Sequence, residues 1–158
     1  MSKLSSRPNG SRRTAGVKSK QTRRSARPMP ITYECDHKRR LITVTVTEPY
    51  SIDGILGGII RQAVEDTWGY AMLYDLRAVT HASTEAELEQ IASRVKVVGS
   101  GRQRGPVGMA IGAQPALFRA GLMFSRLTRM LMTVEILLTT AQLEAWLDRN
   151  ARGVPGDW

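Results

Sequence analysis

The 158-residue sequence predicts an α/β fold: a mixed, largely parallel sheet begun by a β-hairpin, with the element order ββαβαβα. Two observations predict it. Two strand-like runs sit side by side near residue 31 with only a short turn between them, and after them short apolar runs alternate with runs at helical spacing. Strands joined by a short turn pair antiparallel, whereas strands separated by helices pair in parallel through right-handed crossovers.

Each element has its own reason. "ITYECDH" and "RLITVTVT" read as two strands around a turn near Lys38 and Arg39. In the second, Ile42, Val44 and Val46 alternate with Thr43, Thr45 and Thr47, the pattern of a strand with one buried face. "SIDGILGGIIRQAVEDTW" reads as a helix capped by Ser51, with Asp53 in the positive first turn and Ile52, Ile55, Leu56, Ile59, Ile60, Ala63 and Val64 as its apolar stripe. Gly54, Gly57 and Gly58 each cost roughly 1 kcal/mol against Ala in a helix, so either the helix starts later or they meet another backbone closely. Close packing is the expectation here.

"GYAMLYDL" is apolar on both sides, as a central strand should be, until Asp75 interrupts it. "STEAELEQIASRVKVVG" is a helix with Leu88, Ile91, Ala92, Val95 and Val98 inward, Gly99 at its end, and a T-x-x-E capping box formed by Thr84 and Glu87. "VGMAIGA" carries Val107, Met109 and Ile111 on one side and only Gly108, Ala110 and Gly112 on the other, so something must lie close over the bare side. "QPALFRAGLMFSRLTRML" is a helix, "TVEILLT" a strand with Val134, Ile136 and Leu138 on one face, and "TAQLEAWLDRN" a last helix capped by Thr139 or Thr140.

Charge divides the chain. Residues 1–29 hold nine Lys and Arg and no acid, and the other 14 Lys and Arg balance the 14 Asp and Glu, so the entire net charge of +9 lies in this segment. Low hydrophobicity and like-charge repulsion make it a disordered basic tail before a domain at 30–152, with 153–158 as a C-terminal tail. Several readings of the tail stand side by side. It is a non-specific nucleic-acid arm without an aromatic residue to stack on bases, a transit peptide lacking an amphipathic apolar face, or a solvated extension. Alternatively the true start is Met29. A nucleic-acid role through the tail predicts salt-dependent binding that disappears when residues 1–28 are removed.

No run approaches the roughly 20 apolar residues that cross a bilayer, and the N-terminus has no secretory apolar core, which makes a cytoplasmic protein without a transmembrane segment the expectation. The lone Cys35 forms no internal disulfide and no multi-cysteine metal site. No cofactor and no metal are expected. Nor is a catalytic residue: only His37 and His81 offer a histidine base, both in loops, and no G-x-S-x-G elbow occurs. Activity would require His81, Asp75 and an Arg to converge in one pocket. "GSGRQRGP", residues 99–106, has the glycines and arginines of an anion loop but matches no phosphate-loop spacing and precedes a strand, so it reads as a flexible surface loop.

Two candidate sites emerge. Ligands of open α/β sheets sit beyond the carboxyl ends of the strands, which nominates Asp75, Arg77, Ser83, Thr84 and Gln114 as a partner or ligand loop. Asp75 reads equally well as only a structural partner for Arg77 or for loop amides. The second site lies on the helix 114–131, whose apolar residues wrap wider than one stripe. Phe118, Leu122, Met123, Phe124 and Met130 read as core, as the lining of a pocket for a lipophilic small molecule, or as an interface for a homodimer or another protein partner.

"MLYDLRAV" leading into a loop and a capped helix, the later "GPVGMAIG" strand and the closing "AQLEAWL" resemble the SpoIIAA-like group of STAS-type domains over residues 30–150. The resemblance implies helices mainly on one face of the sheet and a small, non-enzymatic regulatory or binding module. Through the related CRAL-TRIO-type fold it also suggests an apolar ligand. Anti-sigma-factor antagonists of this type carry a D-S-S-G-L loop with a phosphorylated serine. Aligning their strand Asp with Asp75 puts Ser83 at the motif's Asp, Thr84 at the phosphorylated position, and Glu85 and Ala86 after it. The motif is broken there: Glu85 would repel a phosphate, and helix capping accounts for Thr84. Thr84 is therefore a weak candidate phospho-site.

Overall fold

The computed structural model describes residues 29–151, so the expectations for residues 1–28 and 152–158 lie outside the described residues. Nine elements follow one another: β1 (Ile31–Asp36), β2 (Leu41–Val46), α1 (Ile52–Val64), β3 (Ala71–Asp75), α2 (Glu85–Val98), β4 (Val107–Ala110), α3 (Pro115–Thr128), β5 (Val134–Leu137) and α4 (Thr140–Asn150). The hairpin-first alternation is thus present, and all nine elements read from the sequence are found; written out they are ββαβαβαβα, one βα unit more than the order ββαβαβα. The sheet runs β1-β2-β3-β4-β5. β1 and β2 pair antiparallel in the register Ile31↔Val46 to Asp36↔Leu41, and the remaining pairs are parallel.

That order explains where the helices go. When each strand is laid beside the one before it and every crossover is right-handed, all crossover helices fall on the same face. α1, α2 and α3 therefore share one face and bury Ile42, Val44, Val46, Met72, Val107 and Ile111 with their own stripes. α4 follows the edge strand and turns back beneath the other face, where Trp146 packs with Leu41, Ala71, Leu73, Ala110 and Leu137. Trp146 is what covers the bare side of β4: a methyl added at Gly108 would meet the indole ring at 2.8–3.0 Å.

The caps fall where the sequence placed them. Ser51 accepts from the Gly54 amide, Thr84 and Glu87 form the reciprocal capping box, and Thr139 rather than Thr140 caps α4, with Gln142 completing a second box.

The inward stripe of α1 is rotated from the expected one. Ile55, Leu56 and Ile59 are buried, but so is Gln62, while Ile60 and Val64 are exposed. Glycine packing also differs within this helix. A Cβ at Gly54 would come within 2.6 Å of the Ile31 side chain, a close approach but to a side chain rather than a backbone, whereas one at Gly57 would meet open space and one at Gly58 only Tyr33 at 4.0 Å. α3 stops at Thr128, so Met130 lies outside the helix and is 87% exposed.

The 99–106 connection is not wholly a surface loop. Arg104 is buried, and a Cβ at Gly105 would collide with the backbone carbonyl of Tyr70. No helix among the described residues is long and apolar enough to cross a membrane.

Candidate functional site

The parallel strands β2, β3 and β4 direct their carboxyl ends toward the same edge of the domain, and the loops after them hold most of the nominated polar residues. Asp75 ends β3 and is fully engaged: Arg77 donates Nε to Oδ1 at 2.9 Å, Nη2 to Oδ2 at 2.7 Å and its amide to Oδ1 at 3.2 Å. The Arg77 side chain, hydrogen-bonded to this carboxylate, holds it below the usual aspartate range. Gln114, at the mouth of α3, donates to the Arg77 carbonyl at 3.4 Å. Asp75, Arg77 and Gln114 are therefore one cluster, and its bonds tie the β3–α2 loop to the start of α3.

Ser83 and Thr84 do not join that cluster. The Thr84 hydroxyl accepts from the Glu87 amide at 3.3 Å while the Thr84 amide donates to Glu87 Oε2 at 2.8 Å. Its oxygen works as a helix cap. Ser83 lies 3.2 Å from the Tyr50 hydroxyl, and both side chains border an apolar space.

That space is a cavity of about 80 Å³ between the sheet and the three helices. Leu76 and Val79 close it at the strand ends, Leu88 and Ile91 come from α2, Met109 from β4, and Leu117, Gly121 and Phe124 from α3. The polar side chains in its lining are Tyr50 and Ser83, which contact each other, and Tyr74, whose hydroxyl burial pushes above the usual tyrosine range. A second apolar hollow of about 300 Å³ runs between α1 and β1, over Gly54, Gly57 and Gly58. Ile55 and Tyr74 line both spaces. The glycines that do not pack closely are what leave this groove open.

Of the apolar residues nominated on the helix 114–131, Phe124 faces the cavity and Met123 is partly buried. Phe118 and Leu122 are more than a third exposed, and Met130 projects into solvent. The wide apolar coverage of α3 is thus two surfaces: Leu117 and Phe124 point inward, and Phe118 and Leu122 lie on the outer flank.

One organised group has no counterpart in the sequence reading. Glu48, just after β2, accepts from the amides of Thr80 and His81 at 2.9 and 2.8 Å, from the Thr80 hydroxyl at 2.8 Å, and pairs with His81 Nδ1 at 3.1 Å. These bonds, the Thr80 hydroxyl first, lower its pKa to about 2. The carboxylate staples the β2–α1 loop to the β3–α2 loop. Nothing local marks it, because its partners lie more than thirty residues away. His81 is thereby committed to Glu48 and Asp75 to Arg77, two separate pairs rather than one converging centre.

The staple has a pH signature. A carboxylate whose folded pKa of about 2 lies below its ordinary value of 4.5 contributes fully above that ordinary value and loses its contribution as pH falls toward 2. A carbon-detected NMR titration of the folded protein should place the Glu48 midpoint near 2, and Glu48→Gln should flatten the fall in stability between pH 4.5 and 2. A midpoint near 4 would mean that the loops are not joined this way in solution.

Comparison with family models and with curated proteins finds no match to this chain.

Proposed function

We propose that this chain is a non-enzymatic binding module of STAS/SpoIIAA-like type whose ligand is a small, largely apolar molecule carrying one hydrogen-bonding group. The observation that carries the reading is the pair of neighbouring apolar spaces that share Ile55 and Tyr74 in their walls. The inner cavity by itself is below the roughly 150 Å³ that holds a benzene, whereas sites for small ligands run to a few hundred Å³. A ligand that turns Tyr74 or Ile55 aside gains the groove as well. Burial of its apolar body drives binding, and the Tyr50–Ser83 pair or the Tyr74 hydroxyl orients its polar end. In keeping with a binding role, the conspicuous polar clusters at this edge, Asp75–Arg77–Gln114 and Glu48–Thr80–His81, use their hydrogen bonds on loop architecture.

The test is displacement of the fluorescent probe N-phenyl-1-naphthylamine by decanol. Ala120 lines the cavity, and Ala120→Phe, which fills it from α3, should weaken decanol competition about tenfold or more while the protein still unfolds cooperatively. Phe118→Ala, on the outer flank, should leave it unchanged. The reverse pattern would put the ligand, or a protein partner, on the outside of α3 and overturn the cavity reading.

A further inference from the structure

The 99–106 connection, whose spacing fits no phosphate-loop motif, contains an unusual buried charge. Arg104 is only 8% exposed and its guanidinium lies 4.1 Å from the centre of the Trp68 ring. Nη2 donates to the Met72 sulfur at 3.1 Å, while Nε and Nη1 have no hydrogen-bond partner. Among the described residues no carboxylate pairs with it. Burial pushes the guanidinium below its usual range, though arginine stays protonated at neutral pH. A buried cation without a counter-charge is costly to hold, and the cost falls when an anion approaches it.

Beside Arg104 lies a cavity of about 280 Å³ that is separate from the apolar spaces under α1. Lys96, Arg102 and Ser100 border it with the backbone of Gly99–Gly101, and no acidic side chain does. Arg102 is only loosely committed, 4.0 Å from the exposed Asp66 and 3.4 Å from the Ala63 carbonyl. The carboxyl end of α2 works against an anion here, but its Val95 and Val97 carbonyls already accept the Gly99 and Ser100 amides, and Lys96 stands in that last turn. Trp68, Met130 and Leu131 give the remaining wall an apolar surface.

We propose that this cavity binds the phosphate group of a small phosphate monoester, with Lys96 and Arg102 meeting the anion at the mouth and Arg104 supplying the buried charge. The apolar wall holds a small ester substituent, so phenyl phosphate should bind more tightly than inorganic phosphate. The site does not depend on the apolar-ligand reading above.

The experiment uses the full chain and follows the unfolding temperature in inorganic phosphate, phenyl phosphate and chloride at matched ionic strength. A saturable rise with both phosphates, absent with chloride, is expected. Lys96→Ala/Arg102→Ala changes only exposed side chains and should remove most of that rise; the basic residues of the tail are the same in both proteins, so the difference reports on the cavity. Arg104→Met should also remove the rise. Equal response to chloride, or a phosphate-specific rise that survives either variant, overturns the proposal. So does a response to phosphatidate vesicles with none to phenyl phosphate, which would assign the phosphate chemistry to a membrane headgroup.

Discussion

Trp146→Ala should lower the unfolding free energy by about 3–5 kcal/mol, among the largest losses expected from a single side chain in this domain. Trp146 is 1% exposed and anchors the smaller of the two cores, the one that α4 alone covers. Its ring lies directly on Gly108 and fills the space that side chains on β4 would otherwise occupy. Removing it leaves a void over Gly108 and Ala110, which have no side chain able to relax into it. The fit works from both sides. An alanine at Gly108 would place its methyl 2.8–3.0 Å from three atoms of the rigid indole, an overpacking expected to cost about 1–3 kcal/mol. Gly108→Ala should therefore be tolerated better once Trp146 is Leu, and the double variant should lose less than the sum of the two single losses in urea unfolding. Strict additivity would show that indole and glycine do not share one space.

The same pair shows what kind of information a sequence carries. Two small residues on one side of a strand demand a cover, and this much could be read from Gly108 and Ala110; which residue provides it depends on how α4 turns back under the sheet. Caps were legible for a similar reason, since Thr84 with Glu87 and Thr139 with Gln142 are contacts three residues apart. The Glu48 staple was not, because its bonds to Thr80 and His81 exist only once β2 and β3 lie in parallel. The nominated loop residues divided along the same line. Asp75 and Arg77 met as sequence neighbours, whereas the Ser83–Tyr50 contact at the cavity came from the tertiary fold. Arg104 was misjudged for a further reason. Glycine and arginine in a loop suggest a solvated segment, but Trp68 offers the guanidinium a flat apolar face, and that face lies 36 residues earlier.

Rotation of α1 was the other feature the apolar pattern misread, and it leads to the second large effect: Gln62→Met should raise the unfolding free energy by about 1–3 kcal/mol. Apolar periodicity alone favours a stripe through Ile60 and Val64, yet packing against β1 and α2 turns these out and Gln62 in. The Gln62 side chain is fully buried, and neither its amide nitrogen nor its carbonyl oxygen meets a hydrogen-bond partner. Methionine has nearly the same length and helix propensity, so the exchange removes the unpaired amide and keeps the volume. The backbone role survives too, because it is the main-chain carbonyl of Gln62 that accepts from the Thr67 amide at 2.9 Å. Gln62→Ala separates the two contributions: it also deletes the amide but leaves a void, so it should fall clearly below Gln62→Met. Urea midpoints with an unchanged m-value would report the difference. If Met were as damaging as Ala, the amide must be hydrogen-bonded in solution, and the interior beside α1 would be a polar pocket rather than part of the apolar core.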